Sequence, residues 1–509
     1  MEDKWSEFRE IMLDILQFFV KYSHFHLRDY QREVVLAIVE SVRAGLGLTF
    51  VVVFPRQSGK NELQAQIEAF LLSVYSKGSA EIVKASPTWK PQAQNAMDRL
   101  QRVLSRNELT NKAWRKESGY IYRLGGARIT FLSGEPTTNV VGATSDILLD
   151  CDEAQDVQQS KWDKDFAPMA ASKNATRVFW GTCWTSKTLL ARERRAAEQA
   201  EIRDGRRRVW VLSAEDVAAE VPAYGVFVAE QVAKLGRGHP LVKTQYFSEE
   251  IDAEGGMFPA ERLRLMAGSH AEQILPMQGE IYAITIDVAG EDESAQGGSE
   301  PEQIGLKNPA RDATALTVFQ VSIDEFTKQP SYRVIAREEW TGYEQTRVYS
   351  LLKSYIDAWG PRYVCIDATG IGAGLASFLE KIYGSADNKA APGVIVPFVF
   401  TQKSKSDLGW DFLAVVETGR FKDYSPPDPE FWKQLGACQA HVLDGPGKIM
   451  RWGVPDGTRD DATGELVHDD LVVSAALVAA LDERDWSVSG QPVIIRGRDP
   501  LAEMDAEGF

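Results

Sequence analysis

Apolar runs of strand length alternate with helix-period stretches along roughly the first 215 residues of the chain. The β-branched run Phe50 to Phe54 ends in Pro55-Arg56-Gln57-Ser58-Gly59-Lys60-Asn61, and a helix-prone segment from Glu62 to Tyr75 follows. Glu81 to Ala85 is a second strand ending in polar Ser86-Pro87-Thr88, ahead of a long helix through Gln92, Ala96, Leu100 and Val103. Arg128 to Leu132, Ile147 to Cys151 and Arg177 to Trp180 repeat the strand pattern. Such alternation predicts a mostly parallel sheet with its ligand loops at the carboxyl ends of the strands. Upstream, Phe8, Ile11, Met12, Ile15, Leu16 and Phe19 lie at helical spacing, as a docking arm or a packed leader helix. A second amphipathic helix, Val34 to Val42, follows Leu27-Arg28-Asp29-Tyr30-Gln31.

The pattern weakens over 216–275 and then restarts. Ile281 to Ile286 alternates and ends in Asp287; an acidic, glycine-rich stretch carrying Glu291, Asp292 and Glu293 separates it from Arg311 to Phe319, its expected hairpin partner. Tyr332 to Glu338 is a further strand, and Arg362 to Ile366 is a buried one ending in Asp367 before a glycine turn. Late in the chain Asp469 and Asp470 open an apolar helix. The expected domains are an N-terminal helical arm (1–25), a mostly parallel α/β sheet domain (26–215), a linker or subdomain (216–275), a second α/β domain (276–485) and an acidic tail (486–509), the last disordered or a docking peptide.

Composition narrows the class. With 509 residues, 44% apolar and 26% charged, the chain is globular and too long for one core. A net charge of −16 argues against coating nucleic acid over the whole surface, yet Arg99 to Arg128 holds eight Lys/Arg against two acids, and a second basic cluster runs from Arg192 to Arg208. Each is a phosphate-contacting surface or a solvated face. The four cysteines are scattered without C-x-x-C spacing and read as buried thiols in a reducing compartment. No apolar run reaches membrane-spanning length, and a soluble, intracellular protein is expected.

The strand–loop–Gly59-Lys60–helix arrangement is that of a P-loop, in which backbone N–H groups and a helix N-terminus face phosphates and the lysine neutralises charge between them. Phe54 stands where the motif has its first glycine, and Asn61 where it has a Mg²⁺-binding hydroxyl. An apolar strand ending in Asp152-Glu153 supplies a carboxylate for Mg²⁺ and a second one to orient or deprotonate water. Thr182, in the Gly181-Thr182 turn after the strand Arg177 to Trp180, is a small polar residue at the same edge, able to sense the γ-phosphate. Tyr30 and Gln31 stack on and hydrogen-bond adenine, or Asp29 caps a helix and Gln31 is a surface residue. Asp287, Asp367, and Asp469 with Asp470 are carboxylates on three separate elements. Hard cations need oxygen ligands, and two-metal phosphodiester cleavage needs three or four convergent carboxylates. Helix capping and strand-end turns are the alternative roles of these acids.

Pro55 to Lys60, Leu148 to Ala154, Gly181-Thr182, Ile286-Asp287, Ile366 to Gly370 and His468 to Leu471 together resemble the large terminase subunits of tailed bacteriophages along nearly the whole chain. The arginine in the loop and the missing first glycine match that family's variant P-loop. The resemblance implies a RecA-like ATPase domain followed by a ribonuclease H-like nuclease, driving viral DNA into procapsids and cutting the concatemer. It implies ATP with Mg²⁺ at Arg56, Gln57, Ser58, Gly59, Lys60, Asn61 and Asp152, with Glu153 activating water, Thr182 coupling hydrolysis to movement, and Tyr30 and Gln31 at the base. It implies two Mg²⁺ or Mn²⁺ ions at Asp287, Asp367 and Asp470, with Asp469 as neighbour or fourth ligand. The implied partners are double-stranded DNA, a portal protein, a small terminase subunit and further copies in a pentameric ring, in the cytoplasm of the infected host and not in the mature virion. A docking protein with a degenerate nucleotide site and a repair or defence helicase-nuclease are the competing classes; no second ATPase core follows residue 215, against the latter.

Overall fold

The computed structural model describes residues 14–140, 142–251, 256–289, 313–325, 328–388, 391–443, 447–460 and 463–486. Phe8, Ile11, Met12, the acidic stretch with Glu291, Asp292, Glu293 and Arg311, and the tail lie outside them. The chain divides into two compact units, Met1–Ser269 with Val399–Val473, and His270–Phe398 with Ser474–Phe509.

In the first unit, strands β1 (Thr49–Val53), β2 (Ala80–Ser86), β3 (Trp114–Glu117), β4 (Ile121–Leu124), β5 (Ala127–Ser133), β6 (Leu148–Cys151), β7 (Thr176–Gly181) and β8 (Val209–Val211) form one sheet ordered β3-β4-β5-β2-β6-β7-β1-β8. From β5 to β8 every pairing is parallel, and β3 and β4 extend that edge antiparallel. Strand β7 therefore lies between the Gly59-Lys60 strand and the strand before Asp152, the RecA-like arrangement. Parallel strands covered on both faces are apolar throughout, as Phe50 to Val53 and Leu148 with Leu149 are. Core residues fall on both faces of the sheet, with Phe50, Phe54, Phe70 and Phe131 on one and Val51, Phe166 and Phe179 on the other.

The helix Ile15–Tyr22 buries Ile15, Phe18, Phe19 and Tyr22 and packs Phe18 edge-on against Phe70 at 5.1 Å, so it is a packed leader helix rather than a free arm. Tyr30 and Gln31 do not precede the next helix but lie in its first turn, since it spans Asp29–Arg43. The weakly periodic region after residue 215 is helical, at Pro222–Leu235, Pro240–Tyr246 and Ala260–Met266. Its helices carry few buried positions, which is why no sharp amphipathic period marks them.

In the second unit, β9 (Ile281–Asp287), β10 (Ala313–Ile323), β11 (Pro330–Thr341), β12 (Tyr363–Asp367) and β13 (Ile395–Phe398) lie in the order β13-β12-β9-β10-β11. An antiparallel meander of β9 to β11 is joined by β12 and β13 running parallel to β9. That is the ribonuclease H-like order.

Candidate functional site

The loop after β1 is fixed from three sides. Phe54 N–H donates to Gly181 O of β7, Arg56 N–H donates to Gln245 O, and the Tyr224 hydroxyl donates to Arg56 O. The Ser58 carbonyl accepts from both the Arg28 guanidinium (2.9 Å) and the Tyr30 hydroxyl (2.7 Å), which turns it out of the loop. Gly59 takes the left-handed conformation (φ 93°) and starts the helix Lys60–Val74, leaving its first N–H groups at the loop. A Cβ on Gly59 would stand 3.0 Å from Gln31 Nε2. Gln31 is itself buried, and its Oε1 accepts the Arg28 N–H, capping its own helix. Arg56 and Gln57 are exposed, Ser58 is buried, and Asn61 is partly exposed in the first helical turn.

Lys60 Nζ reaches across to Glu153 Oε1 at 2.8 Å. Glu153 occupies the left-handed region at φ 45°, ψ 50° just past the end of β6. Burial pushes its carboxyl up, but the Lys60 charge, hydrogen bonds from Lys60 and Gln155 and the Lys448 charge outweigh it and hold the group below the ordinary glutamate value. Asp152 is buried, and its Oδ1 accepts from Gln64 Nε2 (3.0 Å) and from the Glu153 N–H (3.1 Å). Gln155 bridges the last two elements: Nε2 donates to Glu153 Oε2 at 2.7 Å, and Oε1 accepts the Thr182 N–H at 3.2 Å. Lys60, Asp152, Glu153 and Thr182 are thus brought together at the carboxyl edge of one sheet. A pocket of about 250 Å³ opens beside them, lined by Gln155, Asp156, Gln159 and Thr188.

Three residues of this site escape motif reading. Gln155 lies two positions past Glu153 with no pattern to mark it. Gln64 is one turn beyond Lys60 on a buried face, and Lys84 is a charge inside a strand buried everywhere but at Glu81. The last was the readable signal, because a lysine in a central parallel strand needs a buried partner. Lys84 is paired in register with Asp150.

In the second unit Asp287 and Asp367 end the adjacent parallel strands β9 and β12. Ile286 pairs with Ile366, so the next register position sets the two acids side by side on one face. Asp367 Oδ1 accepts the Thr369 N–H at 2.8 Å. Burial raises the Asp367 carboxyl above its ordinary value, against the hydrogen bonds to Thr369. A Cβ on Gly372 would stand 2.3 Å from Asp367 O, so the helix Gly372–Tyr383 can start this close to β12 only with glycine there. In the first unit, Asp469 Oδ2 accepts the Val454 N–H at 3.3 Å and faces Lys405, while Leu471 N–H donates to Gln434 Oε1. Asp470 is buried at the start of the helix Asp470–Ala476. Among the described residues, no three His, Cys, Asp or Glu side chains are grouped so as to hold a metal ion.

The basic clusters are partly internal. Arg99, Arg123 and Arg128 pair with Glu62, Glu117 and Glu81, and Arg192 pairs with Asp163. Arg102, Arg106, Lys112, Arg115 and Lys116 stay exposed near the β3 edge. All four cysteines are buried and free. Among the described residues no helix is long and apolar enough to cross a membrane.

A RecA-like sheet with a P-loop-type site and a ribonuclease H-like sheet with paired strand-end carboxylates define the class. No family model matches the chain, and no curated protein matches it. Among solved structures it is similar to the large terminase of a thermophilic bacteriophage, at 10% identity over 89% of this chain and 98% of that one, TM-score 0.45. That terminase has also been solved with ADP and with ATP-γ-S. It is similar too to the HK97 bacteriophage large terminase (13% identity, 92% of this chain and 99% of that one, TM-score 0.40). The magnesium-bound large terminase nuclease of thermophilic phage G20c matches at 18% identity over 45% of this chain and 98% of that one, TM-score 0.29.

Proposed function

We propose that this protein is the large subunit of a phage DNA-packaging terminase, an ATP-driven motor on double-stranded DNA joined to a metal-dependent endonuclease. The observation that carries the motor half is the Lys60–Glu153 ion pair. It holds the phosphate-binding lysine and the water-activating carboxylate in one place, with Asp152 beside them. When ATP binds, Lys60 leaves Glu153 for the phosphates, and Glu153, ionised at neutral pH, becomes free to take a proton from water. Asp152 would hold Mg²⁺, whose charge neutralises the phosphates; its buried carboxylate, with Oδ2 accepting no hydrogen bond from the described residues, fits that cation. Gln155 then transmits a change at Glu153 to the Thr182 backbone and the end of β7, which is how hydrolysis would reach the rest of the sheet. Arg56, exposed on the loop, is free to approach the γ-phosphate, and Tyr30 and Gln31 back the loop on the side assigned to the base.

For the nuclease half, Asp287 and Asp367 form a side-by-side carboxylate pair that suits a hard divalent cation. Asp469 and Asp470 belong to the first unit, so the reading of the second unit rests on the Asp287–Asp367 pair alone. A divalent cation held by this pair would activate water and offset the charge that develops on the phosphodiester oxygens. Double-stranded DNA would meet the exposed cations around Arg102 to Lys116. A portal protein, a small subunit and a ring of identical copies, a pentamer, in the cytoplasm of the infected host complete the reading.

The direct test is ATP hydrolysis by the full chain with Mg²⁺ and DNA, beside Lys60→Ala and Glu153→Gln. Glu153→Gln should keep nucleotide binding and lose roughly 10²–10⁴-fold in rate, whereas Lys60→Ala should lose binding. Hydrolysis that survives Glu153→Gln at full rate would refute the assignment.

A further inference from the structure

Asp152 is oriented by a buried chain of polar groups behind the site. Lys84 Nζ donates to Gln64 Oε1 (2.5 Å) and to Glu68 Oε1 (2.6 Å) and stands 3.1 Å from Asp150 Oδ2. Asp150 Oδ1 in turn accepts from the Trp180 indole at 2.6 Å. Gln64, Glu68, Lys84 and Asp150 are each at most 3% exposed. An ammonium donates and never accepts, so Lys84 forces the Gln64 oxygen toward itself and the Gln64 NH₂ toward Asp152. The amide cannot flip without placing two donors face to face. With the Gln64 NH₂ and the Glu153 N–H both spent on Oδ1, Asp152 has Oδ2 left for a cation.

Position 61 makes this matter. In a P-loop the Mg²⁺ is held by the Ser/Thr hydroxyl after the lysine together with the strand-end Asp. Asn61 replaces that hydroxyl, so Asp152 carries more of the binding and its orientation sets more of the affinity.

We propose that Gln64, locked by Lys84, is a positioning residue for the cation of the nucleotide site, acting through Asp152 and compensating for Asn61. The inference rests on the ATPase reading above. Outer-shell partners of this kind are worth roughly 10–100-fold in metal affinity.

The test is Mn²⁺ binding by the ADP-loaded full chain, followed by electron paramagnetic resonance, with melting temperature measured on the same preparations. Gln64→Met removes both hydrogen bonds at nearly equal volume. It should weaken Mn²⁺ by about tenfold or more while leaving metal-free ADP affinity unchanged. At saturating Mg²⁺ the hydrolysis rate should return toward wild type, and Asn61→Ser in the Gln64→Met background should restore Mn²⁺ affinity. Should Gln64→Met not fold, Gln64→Asn keeps a buried amide but is a methylene too short to bridge Lys84 and Asp152, and it should show the same loss. A folded variant with wild-type Mn²⁺ affinity overturns the proposal and leaves the ATPase reading standing. A wild type that binds no Mn²⁺ with ADP overturns both.

Discussion

Two non-glycine residues of the candidate nucleotide site sit in left-handed backbone, Gln57 at φ 65° and Glu153 at φ 45°. Each costs of order 1–3 kcal/mol and persists only where the surroundings fix it. Glu153 is fixed by Lys60 and Gln155, Gln57 by the loop anchored at Phe54, Arg56 and Ser58. Gly181 is constrained from outside: a Cβ there would meet Gln155 Oε1 at 2.2 Å and Leu190 Cδ2 at 2.6 Å. Gly181→Ala should therefore displace Gln155, cost about 1–3 kcal/mol of stability and slow ATP hydrolysis, measurable by calorimetry and by turnover. Unchanged turnover in a folded variant would exclude Gln155 from the relay. At this scale the sequence marked Gly59-Lys60 and Asp152-Glu153, because each pair has a fixed place relative to its strand, and the fold brings Lys60 and Glu153 together. Gln155 and Gln64 were not legible, since a glutamine's role depends on which partners the fold brings to it.

Among the elements, β2 and β6 carry a buried charge cluster between them. Burial pushes the Glu68 carboxyl up to about 8, with Asp150 adding to the rise and Lys84 opposing it. The folded chain then keeps a proton that an unfolded glutamate loses above about pH 4.5. The stability from that proton is full below about pH 4.5 and is lost as pH rises through about 8. Glu68→Gln should gain in melting temperature relative to wild type between about pH 5 and 8 and level off above; parallel curves would contradict the assignment. Lys84→Met, which leaves buried Asp150 and Glu68 without their cation, should cost about 3–5 kcal/mol, read from denaturant unfolding. A second element-scale link is the hairpin of strands Gln439–Val442 and Met450–Gly453. Its Lys448 pairs with Asp156 at 2.5 Å and lies over the Trp184 ring at 4.5 Å. Lys448→Met should leave Asp156 buried without its cation and raise the Glu153 carboxyl toward its ordinary value, shifting the acid limb of the ATPase pH profile upward. No shift would mean that Lys448 is only a packing contact. The longer apolar strands were readable from their runs, whereas β3, β4, β8 and β13, three or four residues each, were not, and the order β13-β12-β9-β10-β11 was legible only through the fold that the resemblance implies. The helices of 222–266 were not, because they bury too few positions to impose a period.

For the molecule as a whole, the chain enters the second unit at His270, returns to the first at Val399 and leaves it again after Val473. Periodicity along the chain could not reveal that return, since which unit a segment joins is decided by contacts far apart in sequence. The two candidate sites nevertheless draw on different sheets, and their chemistry should separate. Gly372→Ala, whose new Cβ would stand 2.3 Å from Asp367 O, should impair cleavage and spare hydrolysis. One comparison decides whether a single chain holds both an ATPase and a nuclease. It is plasmid cleavage in Mg²⁺ and Mn²⁺ with ATPase rates from the same preparations, for wild type, Asp287→Ala and Glu153→Ala. Asp287→Ala should abolish cleavage and hydrolyse ATP normally, while Glu153→Ala should cut and not hydrolyse. Loss of both activities in both folded variants, or neither activity in the wild type with metal, DNA and partner subunits supplied, would contradict a motor and a nuclease in one chain.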